Sequence, residues 1–214
     1  MTFKLLIVDD HPIVRRGLRQ LVANQPDLEV CGEASGVEEA FQQVIANRPD
    51  VAVIDLSLAS GHGLELIEQI SSHDKSIKML VSSMHDESIY AERVLRCGAS
   101  GYINKKEAPE KIIDAIRDVL NGEIYVSPQV ADQLLRRVRS GQTPDTDPIA
   151  TLTNRELEVF ELIGKGLTMK QIAQKLEISQ KTVEAHRDGI KGKLNLKNSL
   201  EVTRRALQWT MEGK

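Results

Sequence analysis

Residues 4–8 read Lys-Leu-Leu-Ile-Val and run straight into Asp9-Asp10. A short apolar run stopped by two carboxylates predicts a strand buried on both faces whose carboxyl end carries charge. Working outward, residues 51–54 (VAVI), 79–82 (MLVS) and 101–103 (GYI) repeat the pattern, and 29–33 (EVCGE) is a weaker fifth run. Between the runs lie stretches of helical length with 3.6-type spacing, such as Val37, Ala40, Phe41, Val44 and Ile45, or Ile112, Ile113, Ile116, Val119 and Leu120. Repeated alternation of strand and helix predicts an α/β domain: a five-stranded, parallel, doubly wound sheet over residues 1–122.

Beyond it, Ser127-Pro128 opens a helix expected near 128–139, with Pro at its first position. Residues 140–148 then hold two prolines, a glycine and no apolar residue, the composition of a linker. The linker region is therefore placed at 123–149 and a small all-α, four-helix domain at 150–214. In that domain Leu152-Thr153 with Glu156 and Leu157, and Leu167-Thr168 with Gln171 and Ile172, each combine a capping box with a hydrophobic staple; Ile178-Ser179 with Val183 repeats the staple. A second helix ending near Leu176 and a third starting near Gln180 leave only a short turn between them. That is helix-turn-helix geometry with the third segment as recognition helix. A fourth helix is expected over about Ser199–Met211.

Two domains suit 214 residues, and 41% hydrophobic with 28% charged residues is ordinary for a globular chain. The apolar runs fall far short of a bilayer span, and Asp9-Asp10 come too soon for a signal peptide, so a soluble, cytoplasmic chain without membrane attachment is expected. Two cysteines, Cys31 and Cys97, exclude a disulfide scaffold and a four-thiolate zinc site. The net charge of −3 hides an asymmetry: residues 1–150 carry 16 Lys+Arg against 23 Asp+Glu, whereas residues 151–214 carry 12 against 8. A basic end joined to an acidic one points to nucleic acid.

The carboxyl ends of parallel strands converge on a crevice. Asp9 and Asp10 end the first strand, Asp55 the third and Ser83 the fourth, while Lys105 follows the fifth. Singly, each has a plain structural reading as a helix or turn cap. Together, three carboxylates need a cation, and an oxygen-rich cluster suits Mg²⁺. With Mg²⁺ and a Lys ammonium balancing the charge, one carboxylate can attack a phosphoryl group.

The motifs LLIVDDHPIVRRGL, PDVAVIDLSL with GLEL, VSSMHD and GASGYINK resemble the receiver domain of two-component response regulators, a flavodoxin-like fold. LTNRELEV, IAQKLEISQKTVEAHR and KL resemble the LuxR-type helix-turn-helix, and the combination is that of the NarL/FixJ family. The resemblance implies Asp55 as phosphoacceptor, with Mg²⁺ (or Mn²⁺) held directly by Asp10, through water by Asp9, and by the Ser57 carbonyl. It implies Ser83 as switch hydroxyl, Tyr102 as switch aromatic drawn inward on phosphorylation, and Lys105 as partner of the phosphoryl group, with the adjacent Lys106 competing for that role. The donor is a phosphohistidine of a histidine kinase or phosphotransfer protein, and the chain is not a metabolic enzyme beyond slow hydrolysis of its own aspartyl phosphate. Two departures are Ala59, where many relatives carry Pro, and Met84, where a small residue is common.

On the third helix Val183, His186, Ile190 and Leu194 mark the inner face, leaving Lys181, Glu184, Ala185, Asp188 and Lys191 outside. With Lys170 and Thr182 these form the expected contact set for double-stranded DNA in the major groove, the lysines gripping phosphate and Lys181, Glu184, Ala185 and Asp188 standing as the base-reading candidates. Two acids on that face oppose binding, and Gly189 and Gly192 weaken the helix. Leu200, Thr203 and Leu207 on the fourth helix are, by the resemblance, the surface of a homodimer on DNA. A regulator working without phosphate, its receiver serving as a dimerisation or protein-interaction module, is the alternative. A flavin or phosphatase enzyme is a further rival, but the chain has Asp-Asp-His-Pro where a Gly-rich phosphate loop would follow the first strand.

Overall fold

A computed structural model describes residues 2–58, 61–140 and 148–212. Ala59 and the linker stretch 141–147 lie outside the described residues. The chain divides into two compact units, residues 1–135 and 136–214.

The first unit alternates strand and helix: β1 (Phe3–Val8), α1 (Pro12–Ala23), β2 (Leu28–Ala34), α2 (Val37–Asn47), β3 (Val51–Ile54), α3 (Gly63–His73), β4 (Lys78–Ser83), α4 (Glu87–Arg96), β5 (Gly101–Asn104) and α5 (Pro109–Leu120). The strands form one parallel sheet in the order β2-β1-β3-β4-β5. Leu5, Leu6 and Ile7 of β1 and Val51, Ala52 and Ile54 of β3 have no exposed surface at all, which is why these strands read as unbroken apolar runs and not as alternations. The strand order reverses between β1 and β3, and the crevice at their carboxyl ends is where an open sheet of this kind binds ligands.

Helix α6 (Pro128–Ser140) follows, then a 3₁₀ turn at Pro148–Thr151 and four helices: α7 (Asn154–Gly164), α8 (Met169–Lys175), α9 (Gln180–Lys193) and α10 (Ser199–Glu212). Both capping boxes form: Thr153 with Glu156 opens α7 and Thr168 with Gln171 opens α8. Ser179 caps α9 by accepting from Thr182 N at 3.0 Å. Leu157, Phe160, Ile172, Val183, Ile190 and Val202 fill the core between these helices. Among the described residues no helix is long and apolar enough to cross a membrane.

Candidate functional site

Sheet register builds the acidic pocket. Val8 pairs with Ile54, and Asp55 N donates to Val8 O at 2.8 Å, so Asp9 and Asp55 leave neighbouring strands side by side. Both are buried, at 2% and 4% exposure. Lys105 N donates to Ser83 O at 2.9 Å, which fixes the loop after β5. The Lys105 ammonium then donates to Asp9 Oδ2 at 2.6 Å and to Asp55 Oδ2 at 2.7 Å. Lys106 stays exposed, its backbone N bonded to Asn104 Oδ1 at 3.0 Å, so of the two adjacent lysines only Lys105 is seen in the pocket.

One ammonium bridges two buried carboxylates there, with Asp10 close by. Burial pushes the Asp55 carboxyl above its ordinary range, and the Asp9 charge adds to this, against the opposing pull of Lys105. For Lys105 burial alone works downward, but the hydrogen bonds it donates to Asp55 and Asp9 outweigh it and raise its affinity for the proton. Asp9, Asp10, His11 and Asp55 bring one ligand atom each to within 4.8 Å of one another. Asp10 Oδ1 is buried without an aligned hydrogen bond, although His11 Nδ1 stands 2.6 Å from it.

Ser83 is fully buried, and its Oγ accepts from His85 N at 3.3 Å. Tyr102 is 1% exposed and donates its hydroxyl proton to His85 O at 2.8 Å. Burial drives the Tyr102 phenol well above its ordinary value, against the lowering influence of the Ser83 hydroxyl. Packing and the bond to His85 place the Tyr102 ring inside in this structure. Ser57 N donates to Asp55 Oδ1 at 3.2 Å. Met84 is 59% exposed and points its bulk to solvent.

Two histidines escaped the sequence reading. His11 follows the acidic pair directly, so its place beside Asp10 had a signal in the run Asp-Asp-His. His85 had none: its Nε2 lies 2.8 Å from Ser57 Oγ, and its ring packs 4.7 Å from that of Tyr90.

In the helix-turn-helix, Lys170, Lys181, Thr182, Ala185 and Asp188 are exposed, and Glu184 and Lys191 are half-buried. Thr182 Oγ1 lies 2.7 Å from Ser179 Oγ in the cap of α9, and Lys191 Nζ donates to Asp188 Oδ1 at 2.8 Å. Of the inner face, Val183 and Ile190 are fully buried while His186 and Leu194 are half-buried. Gly189 is more than a weak helix position: a Cβ there would lie 2.5 Å from Glu156 Oε1 of α7, so the glycine makes room for a buried carboxylate. That carboxylate accepts from Thr153 N at 2.7 Å and from Lys193 Nζ at 2.6 Å. On α10, Leu200 (77% exposed), Leu207 (39%) and Met211 (73%) face outward, and the half-buried Thr203 donates to Ser199 O at 3.1 Å.

Comparison with known proteins fits both units. Residues 5–117 match the family described as "Response regulator receiver domain", and residues 150–206 match "Bacterial regulatory proteins, luxR family". The chain belongs to the response regulators that join a receiver domain to a LuxR-type DNA-binding domain, the NarL/FixJ arrangement, and it is a two-component transcription regulator, not a metabolic enzyme. It is 40% identical over 210 residues to the oxygen regulatory protein NreC of Staphylococcus carnosus (strain TM300), covering 96% of this chain and 97% of that protein. NreC of Staphylococcus epidermidis (strain RP62A) is 41% identical over 211 residues, with the same coverage of 96% and 97%. Among solved structures, RcsB from Salmonella enterica serovar Typhimurium, bound to promoter P1flhDC in the presence of phosphomimetic BeF₃⁻, is 26% identical, with a TM-score of 0.67 over 96% of this chain and 98% of that one.

Proposed function

We propose that Asp55 accepts a phosphoryl group from the phosphohistidine of a partner kinase or phosphotransfer protein, and that this changes the affinity of the 150–214 domain for DNA. The phosphorus–nitrogen bond of the donor breaks as a bond from Asp55 to phosphorus forms, and the imidazole leaves with a proton from solvent. The observation that carries this reading is the buried Asp55 carboxylate held 2.7 Å from Lys105 Nζ at the carboxyl end of β3. Lys105 can follow the phosphoryl oxygens as charge builds on them, and Ser83 Oγ can donate to another. Asp10 Oδ1, buried without an aligned hydrogen bond, forms with Asp9 and Asp55 a hard, oxygen-rich donor set that fits Mg²⁺ or Mn²⁺. Asp10, Asp55 and the Ser57 carbonyl would hold the ion directly and Asp9 through water. When bound, the ion neutralises the phosphoryl oxygens so that an anionic nucleophile can approach.

For the second domain, Lys170, Lys181 and Lys191 are assigned to DNA phosphates, Lys181, Glu184, Ala185 and Asp188 to the major-groove edge, and Thr182 to the same contact surface. A homodimer on DNA through Leu200, Thr203 and Leu207 is supported by the exposed leucines of α10. The working division is a receiver over 1–122, a linker region over 123–149 and the DNA-binding domain over 150–214, acting in the cytoplasm.

The test is Mg²⁺-dependent labelling by a small acyl phosphate, giving an acid-stable, base-labile adduct that disappears in Asp55→Ala. Equal labelling of the variant rejects Asp55. The inward place of Tyr102 favours a second reading, in which the receiver works without phosphate as an interaction module. Under that reading Asp55→Ala and Asp55→Glu leave DNA affinity unchanged.

A further inference from the structure

A chain of contacts leads away from the pocket to the start of α6. After α5 the backbone turns at Gly122 (φ 88°), and the segment 123–127 runs beside β5. Tyr125 forms a parallel bridge with Gly101: its N donates to Ser100 O at 3.1 Å, and its carbonyl accepts from Tyr102 N at 2.7 Å. As β5 is the last strand of the sheet, this segment pairs backbone groups that an edge leaves open. Gly101 admits it, for a Cβ there would lie 2.8 Å from Tyr125 O and 2.9 Å from Tyr125 Cβ. The Tyr125 side chain packs against the receiver core.

Two residues later, Ser127 Oγ donates to Glu87 Oε1 at 2.6 Å and accepts from Val130 N at 3.3 Å. The residue that opens α6 is thereby tied to the first turn of α4. At the other end of the chain of contacts, the Tyr102 hydroxyl bonds His85 O, and His85 N bonds Ser83 Oγ. Tyr102 holds the segment 123–127 by its backbone and the pocket loop by its side chain.

We propose that residues 123–127 are a strap that reports the state of the Asp55 pocket to α6, the helix leading toward the DNA-binding domain. This rests on the phosphorylation reading above. When the Ser83 hydroxyl turns to a phosphoryl oxygen, His85 N loses its acceptor and the loop between β4 and α4 shifts. Glu87 moves with that loop, the charge-assisted bond to Ser127 is lost, and the strap loosens from the edge of β5. Coupling is reciprocal, so a weakened strap narrows the difference between the two states of the pocket.

The experiment uses the full chain with and without Mg²⁺ and a small acyl phosphate. Hydrogen exchange is read at the Tyr102, Tyr125 and Val130 amides, and affinity is read for a duplex selected by this chain from a random pool. In the wild type, phosphorylation accelerates exchange at these amides. In Ser127→Ala, exchange is fast in both states, and the phosphorylation-dependent change in DNA affinity shrinks by about threefold to tenfold. Gly101→Ala, which displaces Tyr125 without touching Ser127 or Glu87, gives the same reduction and serves as an independent second variant. A wild type whose DNA affinity responds to phosphate while these amides do not overturns the strap, as does a Ser127→Ala chain with an undiminished response. A wild type whose DNA affinity ignores phosphorylation of Asp55 overturns the functional reading itself, and the strap with it.

Discussion

Lys105 Nζ stands 2.7 Å from Asp55 Oδ2, and the same nitrogen reaches Asp9 Oδ2 at 2.6 Å, so a single ammonium joins the carboxyl ends of β1 and β3. Its removal leaves two buried carboxylates without a cation. Lys105→Met is therefore expected to lower stability by about 2–3 kcal/mol at neutral pH in metal-free buffer, read by urea unfolding. The sign with pH follows from Asp55, whose carboxyl lies above its ordinary value of 3.8 because burial penalises the charge. Protonation on acidification removes that charge, so the gap between variant and wild type narrows as pH falls. A gap that widens in acid contradicts this account.

Mg²⁺ should stabilise the receiver measurably, because a ligand that binds only the folded state shifts unfolding by about 2.7 kcal/mol at a hundredfold excess over its Kd. Asp10 Oδ1 is buried without an aligned hydrogen bond, so a cation supplies a partner there. Asp10→Asn is expected to abolish most of the Mg²⁺-dependent rise in Tm, with EDTA restoring the metal-free value in the wild type. An equal rise in the variant removes Asp10 from the site.

What was legible in the sequence follows from where the deciding contacts lie. Val51-Ala52-Val53-Ile54 declares a doubly covered strand because its burial is the same on both faces, and Asp55 is legible because it directly follows. Thr153 with Glu156 declares a helix start because both halves of a capping box lie within one turn. His85 could not be read this way: the Ser57 hydroxyl that it meets comes from another strand's loop. Tyr125 sits in an irregular segment with no apolar periodicity, and only the open edge of β5 gives it a partner. Gly189 looks like a weak point of α9 until Glu156 of another helix is seen to occupy its missing side chain's place.

The two glycines of α9 are expected to respond oppositely to alanine. At Gly192 a Cβ meets nothing within 4 Å, so Gly192→Ala gains helix propensity and stabilises by about 0.5 kcal/mol. At Gly189 the new Cβ would lie 2.5 Å from Glu156 Oε1 and push the carboxylate off Thr153 N and Lys193. The same gain in propensity is then outweighed, and a net loss of about 1 kcal/mol is expected. Thermal melts of the two variants decide it, and equal shifts of the same sign would remove Glu156 from the explanation.

Glu156 also sets an acid limit on the DNA-binding domain. Burial alone would raise its carboxyl, but the bonds from Lys193 and Thr153 win and hold it below its ordinary value of 4.5. A depressed folded value means that the folded state binds the proton less well than the unfolded chain does. The stabilisation is therefore full above pH 4.5 and is lost as pH falls through the lowered folded value. Glu156→Gln, which keeps an acceptor for Thr153 N, is expected to cost about 1 kcal/mol at neutral pH and to flatten this part of the acid unfolding curve. Unchanged acid sensitivity in the variant would assign the effect to other carboxylates.

Asp188 and Lys191 are paired at 2.8 Å on the exposed face of α9, with the Lys191 bond holding the Asp188 carboxyl below its ordinary range. In this arrangement the acid both repels phosphate and occupies a lysine that could meet it. Asp188→Asn is expected to tighten binding to random-sequence duplex about threefold and to steepen the dependence of log affinity on log salt by about one, as one more cation becomes available. Lys181→Ala should do the reverse, weakening binding across sequences and flattening the slope by about one. Fluorescence anisotropy over a salt series measures both. If neither variant changes the slope, this face of α9 does not lie against the phosphate backbone, and the recognition surface must be sought on another helix.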